Sequence, residues 1–146
     1  MVMKIKQLYS DAIIPTRGSE EAAGWDLYAH LPQESIEIPP RSAVMIDTGI
    51  ALEIPKGNFG GIYARSGLAC KRGLRPANCV GVIDSDYRGE VKVCLHNDSN
   101  DWQKIYNKER IAQLVIQPYT TITLEEVEDL DNTDRGDGGF GSTGTK

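Results

Sequence analysis

The sequence predicts an all-β fold, a jelly-roll-like barrel or sandwich, and three observations carry that expectation. Apolar and β-branched residues recur at every second position: Val44, Ile46, Thr48, Ile50, Leu52 and Ile54 form one row, and Val91, Val93 and Leu95 another. A period of two puts side chains on alternate faces of a strand, so each row marks one buried face. Turn residues separate the rows at short intervals, as in Pro39–Pro40, Pro55–Lys56–Gly57–Asn58 and His96–Asn97–Asp98–Ser99–Asn100. Many short strands punctuated in this way pack as a sandwich or barrel. No long amphipathic helix and no internal repeat stands out.

Taken in chain order, Ile5 marks a first strand and Ile36 with Ile38 another, ahead of the long row from Val44. One short helix is expected from Ser66 to about Arg72, with Ser66 able to cap it and Gly73 to stop it. The row 91–95 follows, then Leu114–Val115–Ile116, then a last strand candidate from Ile122 to Val127. The chain then changes character. Residues 124–134 read LEEVEDLDNTD and residues 135–146 read RGDGGFGSTGTK. Such a segment packs poorly into a core and suits a solubilising tail. It also suits a mobile flap, because glycine main-chain N–H groups can converge on an anion beside Arg135, Ser142 and Thr143, with Phe140 as a stacking face. The expected division is a β domain over 1–130 and a flexible glycine-rich flap over 131–146.

At 146 residues the chain is one domain, large enough to bury a core without disulfides. Its net charge of −5 argues against a broad basic face for nucleic acid, but leaves room for a small anion site. No apolar run approaches the length of a membrane span, and the opening residues MVMKIKQLYSD lack the core of a signal peptide. Cys70, Cys79 and Cys94 are an odd set, read as free thiols in a reducing compartment, so cytoplasm is the expected location. With His30 and His96 they match no zinc spacing.

Three internal segments carry residues suited to chemistry. Ala64–Arg65–Ser66–Gly67–Leu68–Ala69 joins an arginine, a hydroxyl and a glycine at a helix start. That is either a cap with a surface arginine or a compact anion site. In Asn78–Cys79–Val80–Gly81–Val82–Ile83–Asp84–Ser85–Asp86–Tyr87–Arg88–Gly89 an apolar strand runs into two carboxylates and a tyrosine. The carboxylates serve as turn formers, or one serves as a general base beside an aromatic wall. Asn78 is an ordinary turn residue, or an amide able to read the edge of a nucleobase. Glu109–Arg110–Ile111–Ala112–Gln113–Leu114 breaks an apolar strand with polar groups, as an edge strand does, or as a hydrogen-bond donor to ligand oxygens would. From residues alone the outcome is an acidic β protein with a polyanion site and a candidate carboxylate base, which points to a phosphoester or phosphoanhydride hydrolase.

In order, these segments resemble the five motifs of the trimeric dUTP pyrophosphatases. They are AAGWDLYA at 22–29, ARSGLA at 64–69, GVIDSDYRGEV at 81–91, ERIAQLVI at 109–116 and RGDGGFGSTG at 135–144. The resemblance implies a jelly-roll homotrimer with three sites at subunit interfaces, each closed by a neighbour's flap. It implies hydrolysis of dUTP to dUMP and pyrophosphate with Mg2+ on the triphosphate. That reaction supplies dUMP for thymidylate synthesis and keeps uracil out of DNA.

By matching position, Asp84 would activate the attacking water. Tyr87 would pack under the deoxyribose and exclude a 2′-hydroxyl. Asn78, with backbone groups of 78–84 including Val82 and Ile83, would read uracil. Arg65, Ser66, Gly67 and Gln113 would bind phosphates, with Arg65 acting in catalysis. Arg135, Ser142 and Thr143 would close over the triphosphate while Phe140 stacks on the base. Lys92 would lie within reach of substrate. Asp26 would be structural or meet the metal through water, with no direct protein ligand to magnesium. Three positions depart from the family pattern: Ala64 where proline is common, Trp25 for tyrosine or leucine, and Lys108 for glycine. None removes a proposed catalytic group. A dCTP deaminase, or a bifunctional deaminase, shares the fold but carries a catalytic glutamate where Cys94 stands here. A catalytically silent dUTP-binding regulator would be expected to lack Asp84, Tyr87 or the flap, and all three are present.

Overall fold

The computed structural model describes residues 2–140 and 142. Its strands are β1 (Lys4–Gln7), β2 (Trp25–Tyr28), β3 (Ser35–Ile38), β4 (Ala43–Glu53), β5 (Asn58–Tyr63), β6 (Leu74–Pro76), β7 (Gly81–Ile83), β8 (Glu90–Asn97), β9 (Gln103–Tyr106) and β10 (Arg110–Pro118). The helix α1 spans Ser66–Arg72. One four-stranded sheet runs β1-β4-β8-β6, the other β2-β10-β5-β7, and β3 pairs with β9 as a ribbon. All the pairings are antiparallel. The architecture is an open jelly-roll-like sandwich rather than a closed barrel, because each sheet keeps two free edges.

The alternating rows pack between the sheets. Ile46, Ile50 and Leu52 from β4 meet Val91, Val93 and Leu95 from β8 and Leu27, Ile111 and Leu114 from the facing sheet. The row in β4 is not strictly periodic. Register shifts between Asp47 and Ala51, and Gly49 adopts φ +70 within that bulge. Beside it the buried Thr48 hydroxyl donates to Val91 O at 2.5 Å, which removes the cost of burying it unpaired. Asn97, fully buried at the end of β8, donates from its amide to Ile38 O (3.1 Å) and Asp101 O (2.8 Å). It thereby ties the β3–β9 ribbon to the main sheet.

Three expectations need correction. Ser66 is not the helix cap. Arg65 occupies that position with extended backbone, and no side chain bonds the first turn. Gly73 does stop the helix, at φ +65, where a residue with a Cβ would be strained. Ile122 to Val127 form no strand, since no other strand within the chain pairs with them, and Ile122 and Leu124 stand exposed. β10 is not an edge strand: β2 and β5 flank it. Lys108, where the family pattern has glycine, sits at φ +67, so the backbone there needs the left-handed conformation that glycine adopts freely.

Candidate active site

Two edge strands create the first cleft. β6 ends one sheet and β7 ends the other, and residues 77–80 cross between them. The crossing is a tight turn: Cys79 N–H donates to Pro76 O, Val80 N–H to Asn78 O, and Cys79 takes φ +62. Ala77 N–H to Cys94 O (2.8 Å) anchors it on β8. The sheets part here and leave a cleft of about 270 Å³. Asn78, Val82, Ile83, Asp84, Tyr87 and Lys92 line it, together with Met45 and Cys94. Because β7 pairs only with β5, the main-chain groups on its other side have no ladder partner. Such groups can match the donor and acceptor edge of a planar ligand.

Asp84 follows β7 directly and opens the turn to Tyr87, whose N–H donates to Asp84 O at 3.2 Å. Tyr87 is half exposed, and its hydroxyl donates to Glu90 O at 3.0 Å. Lys92 Nζ pairs with Asp47 at 2.9 Å and Glu90 at 3.5 Å. The bond to Asp47, with the charges of Asp47 and Glu90 behind it, holds the Lys92 pKa above the ordinary lysine value. Lys92 therefore stands charged at the cleft wall, its ammonium held by these two carboxylates.

The second cleft, about 450 Å³, is lined by Gly24, Asp26, Arg65, Ser66, Gly67 and Gln113 among others. Arg65 Nε donates to Asp26 Oδ1 at 2.8 Å, and Arg110 Nη1 to Asp26 Oδ2 at 3.2 Å. The carboxylate, 14% exposed, holds two guanidinium groups at once. Gln113 stands opposite Asp26 on β2 and Tyr63 on β5. Its amide donates to Ala64 O at 2.9 Å, leaving a second N–H for a ligand. A Cβ on Gly24 would lie 2.5 Å from Gln113 Oε1, so glycine there makes room for the amide. The surface that results is rich in anion donors and carries its own counter-charge.

One chain does not bring the two clefts together. Ile83, just before Asp84, pairs with Gly60. Arg65 lies beyond the other end of β5, and the stretch from Gly60 to Arg65 spans roughly 17 Å at about 3.4 Å per residue. The tail residues reach neither cleft. Arg135 Nε donates to Gly138 O at 2.7 Å, Phe140 is fully exposed, and neither they nor Ser142 line either of these two clefts. Thr143 lies outside the described residues. Arg110 and Glu90 were missed as site residues. Arg110 could have been suspected from its place in ERIAQ, whereas nothing in the sequence marks Glu90 as a partner of Tyr87.

The fold and its clefts define a class: a β-sandwich protein with one pocket lined by an unpaired sheet edge and a separate surface that carries arginine, hydroxyl and amide donors. Comparison with known proteins narrows it. The dUTPase family model matches residues 10–144. The chain is 49% identical over 144 residues to the deoxyuridine 5'-triphosphate nucleotidohydrolase of Nautilia profundicola, covering 99% of each. It is 47% identical to that of Escherichia phage T5, over 99% of this chain and 100% of the other. Among solved structures, the dUTPase of Staphylococcus bacteriophage 80alpha with dUPNHPP superposes with a TM-score of 0.87 at 30% identity, with 98% of each chain covered. The chain belongs to the dUTPase family.

Proposed function

We propose that the protein hydrolyses dUTP to dUMP and pyrophosphate. The observation that carries the reading is the pair of clefts, one suited to a base and sugar, the other to phosphates, in a chain that matches dUTPases along nearly its whole length. Asp84 orients a water molecule and accepts its proton as the oxygen attacks the α-phosphorus, and pyrophosphate leaves. The unpaired edge of β7 and the Asn78 amide read uracil. Tyr87 underlies the deoxyribose, and Lys92 stands at the same wall within reach of substrate. Arg65, Ser66, Gly67 and Gln113 receive phosphate oxygens, with Arg65 held in aim by Asp26.

The donor set fits a magnesium ion that arrives on the nucleotide. Both Asp26 oxygens already accept a guanidinium bond. That leaves room for contact through water, as suits an ion that keeps most of its waters. When bound, magnesium neutralises charge on the triphosphate oxygens.

The working form is a homotrimer. The spacing between Asp84 and Arg65 supports sites shared between copies, since one triphosphate must meet both. The extended segment with exposed Ile122, Leu124 and Leu130 offers apolar surface for a neighbour to cover. Residues 131–146 act as a flap over that neighbour's site: Arg135, Ser142 and Thr143 close on phosphates and Phe140 stacks on uracil. Three free thiols suit the cytoplasm, and among the described residues no helix is long and apolar enough to cross a membrane.

The test is a nucleotide panel with magnesium. dUMP and pyrophosphate should form from dUTP, with little turnover of dTTP, dCTP or UTP. Conversion of dCTP to dUTP would replace the hydrolase by a deaminase, and binding of dUTP without turnover would remove the enzyme. Sedimentation of the same sample should give a trimer's mass.

A further inference from the structure

Tyr87 is half exposed on the wall of the first cleft, yet a ring that excludes a single hydroxyl group has to be stiff. Two contacts hold it. The ring lies against Gly89, where a Cβ would overlap the Tyr87 hydroxyl and sit 2.5 Å from Cζ. The hydroxyl donates to Glu90 O at 3.0 Å. The ring position therefore depends on where the backbone of 89–90 is placed.

That backbone begins β8, where the ladder to β4 is irregular. Lys92 faces Asp47 but Glu90 faces Ala51, so β4 carries the extra residues of a bulge. Gly49, at φ +70 within the bulge, turns its N–H to Glu90 Oε1 at 2.9 Å. The other carboxylate oxygen lies 3.5 Å from Lys92 Nζ, which Asp47 holds at 2.9 Å. The Glu90 side chain is only 13% exposed, and a charge-assisted bond in that setting is among the stronger kinds.

We infer that Glu90 is a positioning residue for sugar selection: its carboxylate pins the bulge of β4 to the start of β8, and its carbonyl oxygen anchors the ring of Tyr87. The inference rests on the reading of Tyr87 as the floor of the deoxyribose subsite. Glu90 itself does not line the cleft.

The experiment compares kcat/KM for dUTP, UTP and dCTP in the wild type, Glu90→Ala, Glu90→Gln and Tyr87→Phe. Glu90→Ala should narrow the dUTP-to-UTP ratio by about tenfold or more, while the dUTP-to-dCTP ratio stays within about threefold. Glu90→Gln keeps an acceptor for Gly49 N–H and should retain most of the sugar ratio. A cooperatively folded Glu90→Ala protein with an unchanged sugar ratio overturns the inference, as does a parallel collapse of both ratios. Should Glu90→Ala fail to fold, Tyr87→Phe decides, because it removes only the hydroxyl anchor; an unchanged sugar ratio there overturns the inference too. A wild type inactive on dUTP counts against the hydrolase reading, whereas an active wild type with insensitive variants counts against Glu90 alone.

Discussion

Arg65 and Asp26, thirty-nine residues apart in sequence, meet in a 2.8 Å ion pair at the mouth of the second cleft. The same carboxylate holds Arg110, so its negative charge offsets the repulsion between two guanidinium groups. Removing the carboxylate would leave them to splay.

Asp26→Ala is therefore expected to cost about 1–3 kcal/mol of stability, the usual range for orphaning a largely buried bonded group. It should also lower kcat/KM for dUTP by roughly tenfold to a hundredfold through misaim of Arg65. Urea melts and steady-state kinetics check both. Unaltered kinetics would detach Arg65 aim from turnover.

Asp84→Asn keeps the size of the side chain and loses its basicity. We expect kcat to fall by about 10²–10⁴, the range for a general base, with little change in dUTP affinity. Stopped product formation together with calorimetric binding separates the two effects. A variant retaining full kcat would assign the proton to another group.

Truncation after Asp134 removes the glycine-rich end and leaves every strand intact. Turnover should drop by more than about tenfold while the thermal midpoint stays within about 2 °C, since none of the described residues among those removed joins the core. A large fall in the midpoint would instead make the tail structural.

The Arg75 guanidinium grips Asp98 with two bonds, 2.7 and 3.1 Å long, and holds its pKa below the ordinary carboxylate value. A lowered folded pKa means a contribution to stability that is complete above the unfolded value of about 3.9 and is lost as pH falls through the folded one. Asp98→Asn should thus flatten the acid limb of the stability curve below about pH 4. Thermal melts across that range measure it, and parallel acid limbs for both proteins would refute the link.

Asn97→Ala would strand the carbonyl groups of Ile38 and Asp101 and the N–H of Ser99. A cost of about 1–3 kcal/mol is expected from one buried and two part-buried groups losing partners at once. Chemical denaturation gives the figure, and a loss under about 1 kcal/mol would mean that water replaces the amide.

Much of this was legible in the sequence. The rows from Val44 and Val91 became β4 and β8 because burial on one face of a strand writes a period of two into the chain. The span Ser66–Arg72 was recovered because a glycine able to take positive φ marks its end. Ile122 to Val127 misled the same logic: the pattern suits a strand, but pairing needs a neighbour, and one chain supplies none. Arg65, Gln113 and Asp84 were found because their motifs suggest a role for them, while Arg110 and Glu90, though in the same motifs, act through partners that spacing does not reveal.

By itself, then, the sequence determined the class of fold and the family, since periodicity and the order of five short motifs are local properties. Only the tertiary structure decided which groups meet: that Asp26 is shared by Arg65 and Arg110, that two sheet edges open beside Asn78, and that Asp84 and Arg65 stand at opposite ends of β5. These are consequences of register and bulges in pairings between distant segments, and a single residue of slip would reverse the face of every side chain involved.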